Sequence, residues 1–363
     1  MTSNFIEKAG RKALIIGGAA IVATVATIVL KATGAGDITV FIASAAALAT
    51  LASLVGEATD QMGTRLGPGA TGVVQSALGN LPELFISIFA LRAGLVVVVQ
   101  TALIGSILAN SLLVLGIAFA VGGLRHGRQR FGTETTRMTA MLLVLSVASL
   151  AIPTLATAPG APDFGHARDL SIVTAIVLLL VFVGSIPMAV KGDIGPSRPE
   201  GKQESGWPLV ASLIVLAAAG VGAAFVSDWF VEALRPAMAS LRLSEEFVGL
   251  VIVAIAGNAV ENVVGITAAA RNEPDLAVSL ILNSSLQVAL LLVPALVIIS
   301  IFLGGPVLTL VAPPLFITSL GLSAVLCALI VGDGESNYVE GLALVGLYII
   351  IAGSVWFGPP LSP

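Results

Sequence analysis

Eleven apolar stretches of about 20 residues each occupy most of this chain, and they constrain its fold more than any other feature. A stretch of that length spans the hydrocarbon core of a bilayer as an α-helix, because a helix satisfies its own backbone hydrogen bonds. The stretches are residues 13–31, 37–56, 69–91, 95–123, 138–157, 169–190, 208–227, 246–270, 276–303, 306–331 and 337–357. The pattern predicts an all-α membrane protein with about 11 transmembrane helices.

The composition excludes several classes of function. Only 10% of the 363 residues are charged and 57% are hydrophobic, whereas a soluble domain carries roughly 25% charged residues. Acidic residues outnumber basic ones by 21 to 17, so no basic surface for nucleic acid is expected. The single Cys327 and the histidines His126 and His166 cannot assemble a zinc or thiol site. We therefore expect no enzyme, no cofactor and no nucleic-acid partner; membrane lipid is the expected surrounding, and a homo-oligomer is left open.

The distribution of Lys and Arg predicts the orientation. With the N-terminus in the cytoplasm, most basic residues fall on the inner side, as the positive-inside rule requires. These are Lys8, Arg11, Lys12, Arg65, Arg125, Arg128, Arg130, Arg137, Lys191, Arg198, Lys202 and Arg271. The first stretch resembles the apolar region of a signal peptide, but it is long enough to span and we expect it to be retained. The composition suits a bacterial inner membrane.

An internal repeat is the strongest signal in the sequence. Residues 79–83 read Gly-Asn-Leu-Pro-Glu and residues 257–261 read Gly-Asn-Ala-Val-Glu, 178 positions later. At the same offset Ser106 matches Ser284. Two elements in register predict a duplication. We divide the chain into an extra N-terminal transmembrane helix (1–36), a first five-helix repeat (37–190), a cytoplasmic linker (191–207) and a second five-helix repeat (208–363).

The two repeats are expected to have opposite orientations in the membrane. The third stretch runs outwards and the eighth runs inwards in the predicted topology, which is the arrangement of inverted-repeat transporters. Such proteins bind their substrate near the bilayer midplane, where helices are broken. Pro82 and the glycines Gly79 and Gly257 weaken the helices there, and the break is expected to be less sharp in the second repeat, which lacks the proline.

Two carboxylates, Glu83 and Glu261, lie midway along their predicted spans. An ionisable side chain at that depth costs about 2.5–3.5 kcal/mol, so its presence in both repeats indicates a function, with a purely structural carboxylate as the alternative. Carboxylates together with neutral oxygens favour a hard cation, and Glu83 and Glu261 are the predicted metal ligands. The further candidates for cation or proton binding are Asn80, Asn258, Ser106, Asn110, Ser284 and Gln287.

These motifs resemble those of the calcium/proton exchanger family of the cation/calcium exchanger superfamily. The likeness is carried by residues 54–60, 79–94, 99–100, 105–116, 257–261 and 283–287. The resemblance implies eleven spans, repeat glutamates that bind calcium and protons in turn, and exchange driven by a proton gradient. The chain departs from the family where Pro82 replaces the usual Thr, and where Asn262 replaces the His that commonly follows the second glutamate.

Together these features predict a secondary antiporter that exchanges calcium for protons by alternating access at the paired glutamates. A sodium/proton or sodium/calcium antiporter of the same architecture is the alternative, because Pro-Glu is typical of the sodium/calcium branch. A passive channel is disfavoured by a single pair of carboxylates in inverted repeats. An intramembrane hydrolase would need a partner for Asp333, and the sequence offers none within a span.

Overall fold

The computed structural model describes residues 2–66, 78–161, 163–191 and 207–357, and within them the chain is almost entirely helical. The first repeat and the helix before it contain α1 (Thr2–Ala32), α2 (Asp37–Leu66), α3 (Leu81–Arg92), α4 (Val96–Leu108), the π-helix π1 (Ala109–Val114), α5 (Leu115–His126), α6 (Thr133–Ala156) and α7 (Ala167–Lys191). The predicted linker lies outside the described residues, apart from its two end positions.

The second repeat contains α8 (Leu209–Leu241), α9 (Glu245–Phe247), π2 (Val248–Val253), α10 (Ala254–Gly257), α11 (Ala259–Ala270), α12 (Pro274–Gln287), π3 (Val288–Leu292), α13 (Val293–Ser300), α14 (Pro314–Val331) and α15 (Tyr338–Trp356). Two short strands, β1 (Gln129–Arg130) and β2 (Glu335–Ser336), pair antiparallel. The helix α15 begins at a capping box, in which Asn337 accepts from the amide of Glu340 and the Glu340 side chain accepts from that of Asn337.

Nine helices of the described part are long and apolar enough to cross a membrane, and the bent pair Glu245–Gly257 and Ala259–Ala270 makes a tenth. This confirms the prediction of a polytopic helical membrane protein. The third predicted span, 69–91, is described only from residue 78, so the count of eleven stays a prediction. Large apolar side chains of α1 and α7, such as Leu14, Ile15 and Leu180, are exposed on the outside of the molecule, as lipid-facing helices require.

Two predicted spans have wrong boundaries. The seventh, predicted as 208–227, continues to Leu241, because Phe230, Leu234 and Met238 extend its buried face. The charged residues Asp228, Glu232 and Arg235 lie on its exposed side. The tenth, predicted as 306–331, begins only at Pro314. The residues before it, with Gly304, Gly305 and Pro306, form an extended segment, since glycine and proline disfavour a helix there.

Side chains of other helices satisfy the backbone of this extended segment. Thr154 donates to the carbonyl of Leu310 at 3.0 Å, and Gln100 donates to that of Thr309 at 2.9 Å. The amide of Leu310 in turn donates to Ser171 Oγ at 2.9 Å. An irregular segment among membrane helices needs such partners, because lipid offers none.

Hydrogen bonds at the two ends of the molecule show that the repeats run in opposite directions. At one end, Arg235 donates to the carbonyl of Ala93, directly after α3. At the other end, His126 contacts the carbonyl of Ala270, the last residue of α11. The continuous helix Val96–His126 connects these ends. Therefore α3 points towards one side of the membrane and α11 towards the other, as predicted from the repeat.

The packing follows the same internal symmetry. The first helices of the two repeats, α2 and α8, pack along each other, and α1 packs on α2. The fourth helices, α6 and α14, also pair. Helix α5 packs on α15, and its counterpart α13 packs on α7. The segments that carry the repeated motifs, α3 and α10–α11, lie within this arrangement.

Candidate cation site

Each repeat breaks its helix at the asparagine of its motif. Asn80 has φ −91° and ψ 15°, and Asn258 has φ −100° and ψ 15°, so the two residues share one non-helical conformation. A new helix begins at the next residue in both repeats, and in the second repeat the axis bends by 65°. The second repeat therefore breaks at its asparagine without a proline, while the relative sharpness of the two breaks stays a prediction, because residues 67–77 before the first break lie outside the described residues.

The breaks place both glutamates at the start of a helix. Glu83 is the third residue of α3, and Glu261 is the third residue of α11. The first amide groups of a helix have no intrahelical acceptor and carry partial positive charge, which favours an anion at this position. The fold therefore offsets part of the cost of ionising a carboxylate inside the membrane.

Glu83 is buried and receives hydrogen bonds from both repeats. Its Oε1 accepts from Ser106 Oγ at 2.9 Å and from Asn258 Nδ2 at 2.5 Å. The same Nδ2 donates to Ser106 Oγ at 3.0 Å, which closes a triangle of three polar groups. The other oxygen of Glu83, Oε2, is buried and has no hydrogen-bond partner among the described residues. One oxygen is thus held by the protein and the other is free.

Asn110 extends this network into the second repeat. Its Nδ2 lies 3.4 Å from Asn258 Oδ1 and 2.9 Å from Ser284 Oγ, and Ser284 Oγ lies 3.3 Å from Asn258 Oδ1. All these side chains are buried. The structure therefore brings together Glu83, Ser106, Asn110, Asn258 and Ser284, which are five of the eight predicted site residues.

None of the hydrogen bonds described above involves the remaining three predicted residues. Glu261 is half-buried, and no other described residue donates a hydrogen bond to its side chain. Its carboxyl lies within electrostatic range of that of Glu83. Asn80 is buried, and its Nδ2 has no partner in the described part of the chain. Gln287 is buried at the end of α12, one turn beyond Ser284.

Gly257 has a role at the site that the sequence did not reveal. A Cβ atom built at this position would lie 2.6 Å from Cγ of Glu83 and 2.9 Å from its Oε1. Because Gly257 has no side chain, the second repeat leaves room at this position for the carboxylate of Glu83 from the first repeat. The equal spacing of Gly249, Gly257 and Gly265 favours a close-packing stripe. The structure bears this out, because a Cβ at each of the three would meet a neighbouring helix closely.

Three π-helices flank the site and were not predicted. The helices π1 and π3 correspond under the repeat offset to within one residue, and Asn110 lies in π1. A π-helix is rare and is usually found near functional residues, because it shifts the side chains after it around the helix axis. The hydrophobic pattern of the sequence does not distinguish it from the surrounding α-helix.

The donor set of the site is suited to a hard cation. It offers two carboxylates and the amide and hydroxyl oxygens of Asn and Ser side chains, which are the ligands that calcium takes in proteins. The described residues contain no group of three or more His, Cys, Asp or Glu side chains that could hold a metal ion, so the neutral oxygens are needed to complete a cation shell at this two-carboxylate site.

Comparison with known proteins identifies the family. The model of the family "Sodium/calcium exchanger protein" matches residues 37–191 and 211–357. A Ca²⁺/H⁺ antiporter of Aphanothece halophytica is 32% identical over 89% of this chain and 91% of its own length. The Ca²⁺/H⁺ antiporter ChaA of Bacillus subtilis is 34% identical over 82% of this chain and 86% of its own.

Solved structures agree with this assignment. The structure of native YfkE superposes with a TM-score of 0.80 at 30% identity, over 94% of this chain and 99% of the other. The H⁺/Ca²⁺ exchanger CAX gives 0.77 over 96% and 92%, but at 16% identity it shows the fold alone. The described helices, the inverted repeat and these matches lead to one conclusion: this chain is an integral membrane protein that belongs to the sodium/calcium exchanger protein family.

Proposed function

We propose that this protein exchanges calcium for protons across the membrane, at a site formed by Glu83 and Glu261. The observation that carries the proposal is the pair of repeat glutamates, each at the start of a broken half-helix, with Glu83 held by a residue of the opposite repeat at 2.5 Å. The relatives named above are Ca²⁺/H⁺ antiporters, and their similarity extends over both repeats. They support this function over sodium transport.

Coupling follows from competition for the same oxygens. An ionised carboxylate binds calcium, whereas a protonated one has lost the charge that attracts the ion. Calcium therefore leaves as protons arrive, and protons leave as calcium arrives. The free Oε2 of Glu83 and the carboxylate of Glu261 are the proposed acceptors, with Asn80 and Gln287 as further oxygen donors. No second coupling device is required.

Alternating access requires the site to open to one side of the membrane at a time. The inverted repeats supply two related halves, and rocking of one against the other around the glutamates exposes them to either side. We further propose that the N-terminus is cytoplasmic and that the protein resides in the bacterial cell membrane. Arg128 directly precedes the short strand β1 and Arg130 lies in it, at the same end of the molecule as Ala270, which supports a single basic face on the cytoplasmic side.

The direct test is transport by the purified protein in proteoliposomes under an imposed pH gradient. Calcium and sodium are offered separately, and an ionophore that collapses the gradient is the control. We expect calcium accumulation that requires the gradient. Movement of sodium alone would replace this proposal by a sodium antiporter, and calcium flux that ignores the gradient would indicate a channel.

A further inference from the structure

The two glutamates occupy unequal environments, although they are equivalent in the repeat. Glu83 accepts two hydrogen bonds on Oε1, from Ser106 and Asn258. For Glu261 the equivalent donors are Ser284 and Asn80, but Ser284 donates to Asn258 and the Nδ2 of Asn80 has no hydrogen-bond partner among the described residues. The difference needs a cause, because the donor residues themselves are conserved between the repeats.

The cause lies one turn beyond the repeated serines. Asn110 follows Ser106 by four residues and donates to Oδ1 of Asn258 at 3.4 Å and to Ser284 at 2.9 Å. An amide held at its oxygen has its NH₂ group directed to the opposite side, and here that side is Glu83. The position equivalent to Asn110 in the second repeat, at an offset of 178, is Val288. Valine cannot hold the amide of Asn80 in the same way.

We infer that Asn110 is a positioning residue that anchors Glu83 through Asn258, and that Val288 leaves Glu261 without an anchor. This inference rests on the proposed exchange function. Glu83 is then the fixed ligand, which presents Oε2 from an immobile carboxylate. Glu261 is the carboxylate that swings to meet the ion and to release it. A carrier benefits from this division, since one fixed group selects the ion and one mobile group lets it leave.

The division of roles can be tested by shortening each glutamate by one methylene. The shorter side chain withdraws its carboxylate from the ion. A carboxylate that is held in place cannot recover this distance, whereas a mobile carboxylate can. The measurement is the half-saturating calcium concentration for uptake in proteoliposomes, for Glu83→Asp and Glu261→Asp. We expect Glu83→Asp to raise this concentration at least about tenfold more than Glu261→Asp, which is the effect of losing one charge-assisted contact.

Exchanging the two anchor positions supplies the second test. Asn110→Val releases Glu83, Val288→Asn offers an anchor to Asn80, and the double variant moves the anchor from one repeat to the other. When each Glu→Asp change is introduced into the double variant, Glu261→Asp should raise the half-saturating calcium concentration more than Glu83→Asp does, which reverses the order expected in the native protein. A purely structural role for Asn110 would not reverse the order.

The outcomes separate this inference from the function on which it rests. Equal sensitivity of the two Glu→Asp variants, or an unchanged order in the double variant, overturns the anchoring role while calcium/proton exchange stands. If Asn110→Val or Val288→Asn fails to fold, the comparison of Glu83→Asp with Glu261→Asp in the otherwise native protein still tests the inference. Absence of calcium uptake by the native protein removes both the function and the inference.

Discussion

Asn258 and Glu83 belong to different repeats, 175 positions apart, yet Asn258 Nδ2 lies 2.5 Å from Glu83 Oε1. Asn258 is also the residue at which the second repeat bends by 65° between α10 and α11. The helix break in the second repeat thus places a hydrogen-bond donor, Asn258, next to the carboxylate of Glu83 in the first repeat. The site is a property of the pair of repeats, and neither repeat could form it alone.

Gly257→Ala is expected to reduce calcium uptake at least about tenfold, because the new methyl group collides with a site carboxylate. Its Cβ would lie 2.6 Å from Cγ of Glu83, so the glutamate has to leave its present position. The measurement is the initial rate of uptake in proteoliposomes. Gly346→Ala is the matched control, since a Cβ there meets nothing within 4 Å. Native rates in Gly257→Ala would contradict the position assigned to Glu83.

Gly249→Ala and Gly105→Ala are expected to destabilise the protein by about 1–3 kcal/mol each, through overpacking of a helix crossing. A Cβ at Gly249 would lie 2.5 Å from the carbonyl oxygen of Val98, and one at Gly105 would lie 2.7 Å from Cα of Leu250. Both obstacles are backbone atoms, which cannot rotate away.

Thermal unfolding in detergent measures this effect on the crossing between α4 and π2. Gly321→Ala in α14 is the control, because the added Cβ has open space and alanine is the better helix former. Unfolding temperatures that do not differ among the three variants would contradict the close crossing.

Calcium is expected to stabilise the native protein against heating, because a ligand that binds only the folded state adds to its stability. At a calcium concentration 100 times the dissociation constant, the gain is about 2.7 kcal/mol. Glu83→Gln should lose most of this gain, since it removes the charge that attracts the ion. A calcium-dependent rise in unfolding temperature that is the same in Glu83→Gln would place the ion elsewhere.

Glu335→Gln is expected to change stability by less than about 1 kcal/mol, because its two ion pairs are solvent-exposed. Glu335 contacts Arg128 and Arg130 at 3.0 Å each, beside the pairing of β1 with β2. The comparison is thermal unfolding in low and high salt, and the small difference should shrink as salt screens the pair. A loss of several kcal/mol would show that this contact is essential to the fold.

Much of the fold could be predicted from the sequence, because lipid imposes a strong constraint on it. Apolar stretches of helical length have one stable form in a bilayer, and the shared offset of Glu83 with Glu261 and of Ser106 with Ser284 revealed the repeat. The ends of two spans were harder to predict from the sequence. Residues 306–313, before Pro314, are apolar enough to be included in the predicted tenth span, but their backbone is irregular and accepts hydrogen bonds from Thr154 and Gln100, which are far away in sequence.

The sequence predicts which residues form the site more completely than it predicts the hydrogen bonds between them. The sequence predicts Asn258 and Ser106 as oxygen ligands of a cation, whereas in the structure both donate hydrogen bonds to Glu83. That difference depends on the bend at Asn258 and on the contact between Asn110 and Ser284, which are tertiary features. The π-helices were missed for a related reason, because packing and not local propensity inserts the extra residue.

The most direct test of the paired-glutamate site is calcium-driven proton movement in proteoliposomes for Glu83→Gln and Glu261→Gln, beside the native protein. Each variant keeps the size of the side chain and removes the charge and the proton acceptor. We expect both substitutions to abolish calcium uptake together with proton release. If either variant still exchanges calcium for protons at the native rate, that glutamate is not part of the transport site, and the paired-glutamate mechanism is wrong.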